Sequence, residues 1–169
     1  MSRIRLVGAS INDFEDYYRI RCEPSDIYWM GHNSAPDYKM IYGVFSERLG
    51  PKCLSSIGDK VIYMVKDENN DSVGFAMLSL TDSGIEIGIS LLEKCQGKGL
   101  GTEIIALLLP IAGEYHLPIF ASIRDDNVAS QRIFQKNSFR RTDLFEMKTY
   151  PEVGLMAFRR YIYINNSTT

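Results

Sequence analysis

Six consecutive residues, Gln96-Gly97-Lys98-Gly99-Leu100-Gly101, have the composition of an anion cradle. Glycines at alternate positions leave no Cβ to hold a phosphate away from the main chain, and they allow positive φ in the turn. Lys98 adds a mobile cation. The stretch ahead of them, residues 85–91, alternates Ile85, Ile87 and Ile89 with Glu86, Gly88 and Ser90, the period of a strand. Thr102, Glu103 and the apolar run 104–109 follow, and they predict a helix. A strand, a glycine-rich turn and a helix start bring unpaired N–H groups and the positive end of a helix dipole to one point. A plain tight turn is the alternative, and it needs fewer glycines.

Known phosphate fingerprints narrow the choice of anion. The dinucleotide pattern Gly-x-Gly-x-x-Gly fails because the third glycine comes one position early. A nucleoside-triphosphate loop needs Ser or Thr after Gly-Lys, and Gly97-Lys98 is followed by Gly99. The spacing Gln96-x-x-Gly99-x-Gly101 instead resembles the acetyl-CoA pyrophosphate loop of the GNAT N-acetyltransferase superfamily. The longer string Glu86-Ile87-Gly88, Gln96 to Gly99 and Thr102-Glu103 is similar to its RimJ/RimL-type branch. A second block, residues 127–139, resembles the Asn-x-x-Ser and Lys-x-Gly-Phe segment of the same superfamily.

The resemblance implies acetyl-CoA as cofactor and an acetyl group moved to a primary amine by direct attack on the thioester. Residues implied for the coenzyme are Gln96, Gly97, Lys98, Gly99, Leu100, Gly101 and Thr102 in the loop. Ile89, Ser90 and Leu91 on the strand join them, with Asn127, Ser130 and Phe134 on the later helix. A backbone N–H near Ile89 is expected to hold the oxyanion where the strand bulges and splays, and that of Leu91 to hold the pantetheine arm. Asn127 is also a good helix N-cap, and both roles can hold at once. Many members carry Tyr at the position of Phe134 to protonate the leaving thiolate, which Phe is unable to do. Ser130 then offers a hydroxyl, itself or through water, although a mid-helix Ser also bonds back to its own helix. Ser138 replaces the usual Gly and predicts a turn that avoids a strained φ or is less tight. Ser122 stands where another branch, acting on peptide N-termini, has a Glu base.

A primary amine is largely protonated at neutral pH, so its attack needs a base or a water relay. Glu86 is the candidate base, direct or through water, because members use a carboxylate on this strand; an ordinary surface Glu is the alternative. The acceptor is expected to enter beside residues 23–37, with Tyr28, Trp29, His32 and Asp37 as its wall. Aromatics with acids suit a cationic amine, although Trp29 can equally plug the core edge. The turn at 150–154 is short and is expected to leave that mouth open. A small-molecule amine is the expected acceptor. The alternatives are a protein N-terminus of the ribosomal-protein type, or a non-catalytic acyl-CoA-binding module, which Phe134 motivates.

The elements that must position these residues read in order. A strand at 4–7 precedes a helix capped by Ser10 with Ile11, Phe14 and Tyr18 on one face. A loop spans 23–37, and Pro36-Asp37 opens a second helix bearing Tyr38, Ile41, Tyr42, Phe45 and Leu49, which Gly50-Pro51 ends. Strands at 61–66, 73–80 and 85–91 form an antiparallel meander. The helix with Ile104, Ile105, Leu108, Leu109 and Ala112 contains Pro110, which predicts a kink or an early end. A strand at 117–123, a helix with Ala129, Ile133 and Phe134 inward, and strands at 144–149 and 157–164 complete the chain. The strand–helix–strand passage implies a right-handed crossover and a parallel pair. The order β-α-α-β-β-β-α-β-α-β-β is α/β of mixed type. It predicts a mostly antiparallel sheet of six to seven strands with helices on both faces, a GNAT-like fold. The last strand is expected at a sheet edge, where it makes a homodimer possible.

With 169 residues the chain suits one domain, 1–164, with a frayed tail at 165–169. A formal net charge of −2 and the lack of basic runs argue against nucleic acid. Cys22, Cys53 and Cys95 are scattered and, with only His32 and His116, form no metal spacing; reduced thiols in a cytoplasmic protein are expected. The start has no secretory pattern, and the apolar run 104–112 is about half a bilayer span, so no membrane partner is expected.

Overall fold

A computed structural model of the chain describes residues 2–49 and 53–164. Its frame is the expected meander, β2 (Lys60–Asp67), β3 (Ser72–Thr81) and β4 (Gly84–Leu91), each strand antiparallel to the next. β1 (Ile4–Gly8) pairs antiparallel with β2. β5 (Ile119–Arg124), β6 (Phe139–Tyr150) and β7 (Gly154–Tyr163) complete a seven-stranded sheet in the order β1-β2-β3-β4-β5-β7-β6. β4 and β5 form its parallel pair.

Alternation along the strands sends two apolar sets to opposite faces. One set, with Ile62, Met64 and Phe75, packs under α1 (Phe14–Arg21) and α3 (Tyr38–Arg48) through Phe14, Tyr17, Ile20 and Phe45. The other, with Leu78, Ile85 and Ile87, packs under α4 (Leu100–Gly113) and α5 (Val128–Lys136) through Ile104, Ile105, Leu108 and Phe134. α4 runs through Pro110 to Gly113, so the proline does not end it. Its missing hydrogen bond costs roughly 3 kcal/mol. Burial of four side chains, Ile104, Ile105, Leu108 and Ala112, is worth more at about 1.5–3 kcal/mol for each large one.

Three expectations need correction. The segment 23–37 is not all loop: α2 (Pro24–Trp29) forms there, with Pro24 at the first helical position, where a fixed φ and a missing N–H suit a helix start. β7 is not an edge strand. It lies between β5 and β6, so β6 is the edge, and the strand order puts the terminal strand inside. Ser138 has φ +64, so the turn between α5 and β6 keeps the left-handed conformation that a glycine would adopt without cost. The Gly50-Pro51 stop and the 165–169 tail lie outside the described residues.

The feature that positions the site is the parallel pair. Its register holds for Ile85 with Ile119 and Glu86 with Phe120, and the strands then part. Gly84 closes the near end of the pair: its φ is +125, and a Cβ there would stand 2.2 Å from the Pro118 carbonyl oxygen. That same carbonyl accepts from the Ile85 N–H at 2.8 Å.

Candidate active site

Alternation fixes which amides face the gap beyond the fork. Ile85 points its N–H toward β5, so Ile87, Ile89 and Leu91 do the same, while Leu92 donates the other way, to Val73. The pairing of β4 with β3 runs unbroken from Gly84 to Leu91. The expected bulge in β4 is therefore absent, and the splay comes from β5 turning away. The N–H groups of Ile89 and Leu91 face the gap where an oxyanion and a pantetheine arm were expected.

After β4 the chain makes a tight helical turn, Glu93–Cys95, and enters the glycine loop. Gly97 and Gly99 have φ of +72 and +81, and Gly99 is the N-cap of α4 with no side chain to satisfy the helix start. Among the described residues, no protein acceptor takes the amides of residues 97–102. Leu100 is buried in the core and anchors the helix start. Gly101 lets α5 approach, since a Cβ there would lie 2.8 Å from the Ile133 Cδ1. The loop is braced from outside: Arg3 Nη1 donates to the Lys98 carbonyl at 3.0 Å, and Arg3 Nε and Nη2 donate to Glu103 at 3.2 and 3.1 Å. It is braced from inside by Gln96, whose Nε2 donates to the Leu91 carbonyl at 3.1 Å and to Ser25 Oγ at 3.0 Å.

Loop, gap and helices enclose a cleft of about 440 Å³. Its walls are Gly97, Gly99, Gly101 and Thr102 of the loop, and Ile89, Ser90 and Leu91 of β4. Asn127, Ser130 and Lys136 come from the α5 side, and Ser25, Asp26 and Trp29 from α2. Asn127 caps α5 as expected, its Oδ1 accepting from the Ser130 N–H at 3.0 Å. Asn137 ties α5 to α4 by donating to the Thr102 carbonyl at 3.1 Å.

Several residues named from the sequence stand elsewhere. Lys98 is exposed and outside the wall. Phe134 is 2% exposed and packs edge-on against Phe139 at 5.0 Å, in the core and not in the cleft. Glu86 shares a face of β4 with Ser90 but lies outside the wall, opposite Ser79. Asp37 caps α3 by accepting from Met40 N–H at 2.8 Å. His32 closes α2, its N–H bonding to the Ile27 carbonyl at 3.0 Å.

Tyr28 and Trp29 already hold a cation. The Arg124 guanidinium lies 4.8 Å from one ring centroid and 4.9 Å from the other. It donates to the Tyr28 carbonyl at 2.9 Å and to Asp126 at 3.0 and 2.7 Å. Those hydrogen bonds hold Asp126 below the usual carboxylate range and push Arg124 further up. With 4% exposure, Arg124 joins α2 to the end of β5 across the gap.

The sequence reading missed Asp26, which is 8% exposed in the cleft wall. Ser90 Oγ donates to its Oδ1 at 2.6 Å, and Arg21 Nη1 lies 2.8 Å from its Oδ2. Burial pushes the Asp26 carboxyl up, outweighing the Arg21 charge and the Ser90 bond that pull it down. The only local signal was Pro24-Ser25-Asp26, a helix start; nothing in the spacing announces Ser90, 64 positions away.

A mixed sheet whose parallel strands part over a glycine-capped helix, with main-chain N–H groups facing the parting, suits a fold that binds an acyl-coenzyme A. The profile of the acetyltransferase (GNAT) domain matches residues 3–140, and the chain belongs to that family. Among solved structures it is similar to a spermidine N-acetyltransferase from Vibrio cholerae in complex with CoA and spermine: 14% identity, 96% of each chain covered, TM-score 0.78. It is also similar to an acetyltransferase of the GNAT family from Bacillus anthracis, with 18% identity, 96% of this chain and 95% of that one covered, and TM-score 0.74. An aminoglycoside acetyltransferase in complex with coenzyme A gives 16% identity, 93% of each chain covered and TM-score 0.68. No curated protein matches the chain by sequence. The protein is an acetyl-CoA-dependent acetyltransferase with the GNAT fold. The residues present fit that coenzyme: amides over 97–102 without a protein acceptor among the described residues suit a diphosphate, the Leu91 N–H suits the arm behind it, and the Ile89 N–H suits the thioester oxygen. Among the described residues, no helix is long and apolar enough to cross a membrane.

Proposed function

We propose that the enzyme acetylates the primary amine of a small molecule by direct attack of that amine on the thioester. When bound, acetyl-CoA supplies the acetyl group and a thiolate leaving group. The observation that carries the reading is that the amides of residues 97–102, which have no protein acceptor among the described residues, and the gap-side N–H groups of Ile89 and Leu91 belong to segments that border one cleft. Loop amides hold the diphosphate, the Ile89 N–H meets charge developing on the carbonyl oxygen, and Leu91 orients the pantetheine arm. Ser130 is the hydroxyl available to the departing sulfur. Glu86 lies on the sheet face ahead of the cleft, one carboxylate available to the acceptor through water.

A small acceptor is favoured by the acceptor mouth, which is more closed than the sequence suggested. The Tyr150 ring packs on Gly31 so closely that a Cβ there would lie 2.6 Å from it. Glu152 accepts from the Asn33 N–H, and Asn33 Nδ2 donates to the Glu152 carbonyl at 3.3 Å. The β6–β7 turn thus lies down on the segment after α2, which leaves little room for a polypeptide. The Vibrio cholerae and aminoglycoside relatives, named for small amines, point the same way. The string from Glu86 to Glu103 supports placement in the RimJ/RimL-type branch.

The test is acetyl-CoA with a panel of polyamines, amino sugars, amino acids and N-terminal peptides, read by mass spectrometry. Acetylation of small amines is expected. Coenzyme binding with no acetylated product overturns the catalytic reading, and acetylation of peptides alone overturns the small acceptor.

A further inference from the structure

The proposed reaction needs a group that relieves the acceptor ammonium of its proton, and the inference here rests on that reading. Glu86 lies three residues before Ile89, roughly 10 Å along the strand at about 3.3 Å per residue. A general base has to come within hydrogen-bond reach of the nitrogen or act through one water. A second carboxylate, Asp26, is hydrogen-bonded to Ser90, the residue after Ile89. We propose that Asp26, coupled to the Ser90 hydroxyl in the cleft wall, is the proton acceptor for the attacking amine.

Three observations carry it. Asp26 and Ser90 both line the cleft, joined by the 2.6 Å hydrogen bond, and Ser90 is next to Ile89 in the chain. Asp26 Oδ2 is buried and, among the described residues, makes no hydrogen bond; Arg21 offsets its charge at 2.8 Å without satisfying it in hydrogen-bond geometry. Bonds other than this ion pair also dock α2. Ser25 N–H already donates to Glu93 at 2.8 Å, Glu93 N–H to Glu23 at 2.9 Å, and Gln96 Nε2 to Ser25. Buried pairs contribute little net stability, so a charge kept at this cost in a cleft marks a functional site. Burial also shifts the carboxyl upward, toward the range in which a base takes and returns a proton at neutral pH. The charged and titratable groups around it are Arg21 and Tyr17 on α1, Glu23 before α2 and His32 after it.

The step balances. One proton leaves the ammonium for the Asp26 carboxylate, directly or across Ser90 Oγ, and later returns to solvent. The neutral nitrogen forms its bond to the acetyl carbon as the carbon–sulfur bond breaks. The second N–H proton leaves with the sulfur as a thiol, giving amide, free coenzyme and one released proton.

The experiment compares wild type, D26N, S90A and E86Q on an amine the wild type acetylates. kcat/KM is followed against pH and coenzyme A affinity by calorimetry. Carboxyl titration in the ligand-free protein is followed by carbon-13 NMR. D26N is expected to lose about 10²–10⁴-fold in kcat/KM, and with it the acidic limb of the profile, while coenzyme affinity holds. S90A removes a bond that favours the carboxylate. It is expected to move both the limb and the NMR titration of one buried aspartate to higher pH, a shift that a merely structural pair would not show in the rate profile. Retention of the wild-type limb in D26N, its loss in E86Q instead, or an unmoved limb in S90A overturns the assignment. Should D26N not fold, the S90A shift decides alone. A wild type that binds coenzyme and acetylates nothing overturns the proposed function and this assignment together.

Discussion

Replacing Arg124 with Met tests whether the clasp between α2 and β5 organises the acceptor side. The guanidinium sits between two rings, and each desolvated contact of this kind is worth about 0.5–2 kcal/mol. Its bond to the Tyr28 carbonyl, a charged donor on a partly buried acceptor, adds about 1.5–3 kcal/mol. The ion pair with half-exposed Asp126 adds only about 0–1 kcal/mol. Methionine recovers some apolar packing at this nearly buried position, which leaves a net loss of roughly 2–4 kcal/mol. For a chain of this length each kcal/mol moves Tm by about 2–4 °C, so R124M should melt roughly 5–15 °C lower by calorimetry. Arg124 touches α2 and not the glycine loop, so the acceptor KM should rise while coenzyme A affinity stays put. R124K keeps the charge without the planar fork and should fall between the two. A wild-type melt, or coenzyme affinity falling as far as acceptor affinity, refutes the reasoning.

Three further predictions follow from the same frame. Gly84→Ala puts a Cβ 2.2 Å from the Pro118 carbonyl at φ +125, so the fork must deform; a loss of about 3 kcal/mol or more is expected in chemical denaturation. Gly99→Val faces open space apart from Arg3 Nη2 at 3.6 Å, but its φ of +81 is strained for a β-branched residue by about 1–3 kcal/mol. It should weaken coenzyme binding in calorimetry by far more than it lowers Tm, because the strain turns the loop amides. Glu103 is held below the usual glutamate range by the Ser2 hydroxyl, with Arg3 adding its amide and guanidinium bonds. Its folded-state value is depressed, so the tie of the N-terminal strand to α4 is complete above the unfolded value of about 4.3 and is lost as pH falls through the folded value. The protection of the β1 amides against hydrogen exchange, relative to their intrinsic rates, should fall over that acidic window in wild type and already be lower at neutral pH in E103Q.

The sequence by itself determined the order of elements apart from α2, the parallel pair and the place of the glycine loop. These depend on local periodicity and on glycines that need particular φ values, and both are written in neighbouring residues. Alternation over 85–91, the run of Gly97, Gly99 and Gly101, and Asn127 as a cap are of this kind. Tertiary structure decided what meets across the gap. Tyr28 and Trp29 read as a wall for a foreign cation, yet they close on Arg124, nearly a hundred positions away, because a buried guanidinium must find acceptors and ring faces. Phe134 went to the core because apolar burial governs that face of α5. β7 went inside the sheet because strand order is settled by long-range pairing. Asp26 acquired its meaning from Ser90 and Arg21, through a burial that no spacing in the chain expresses.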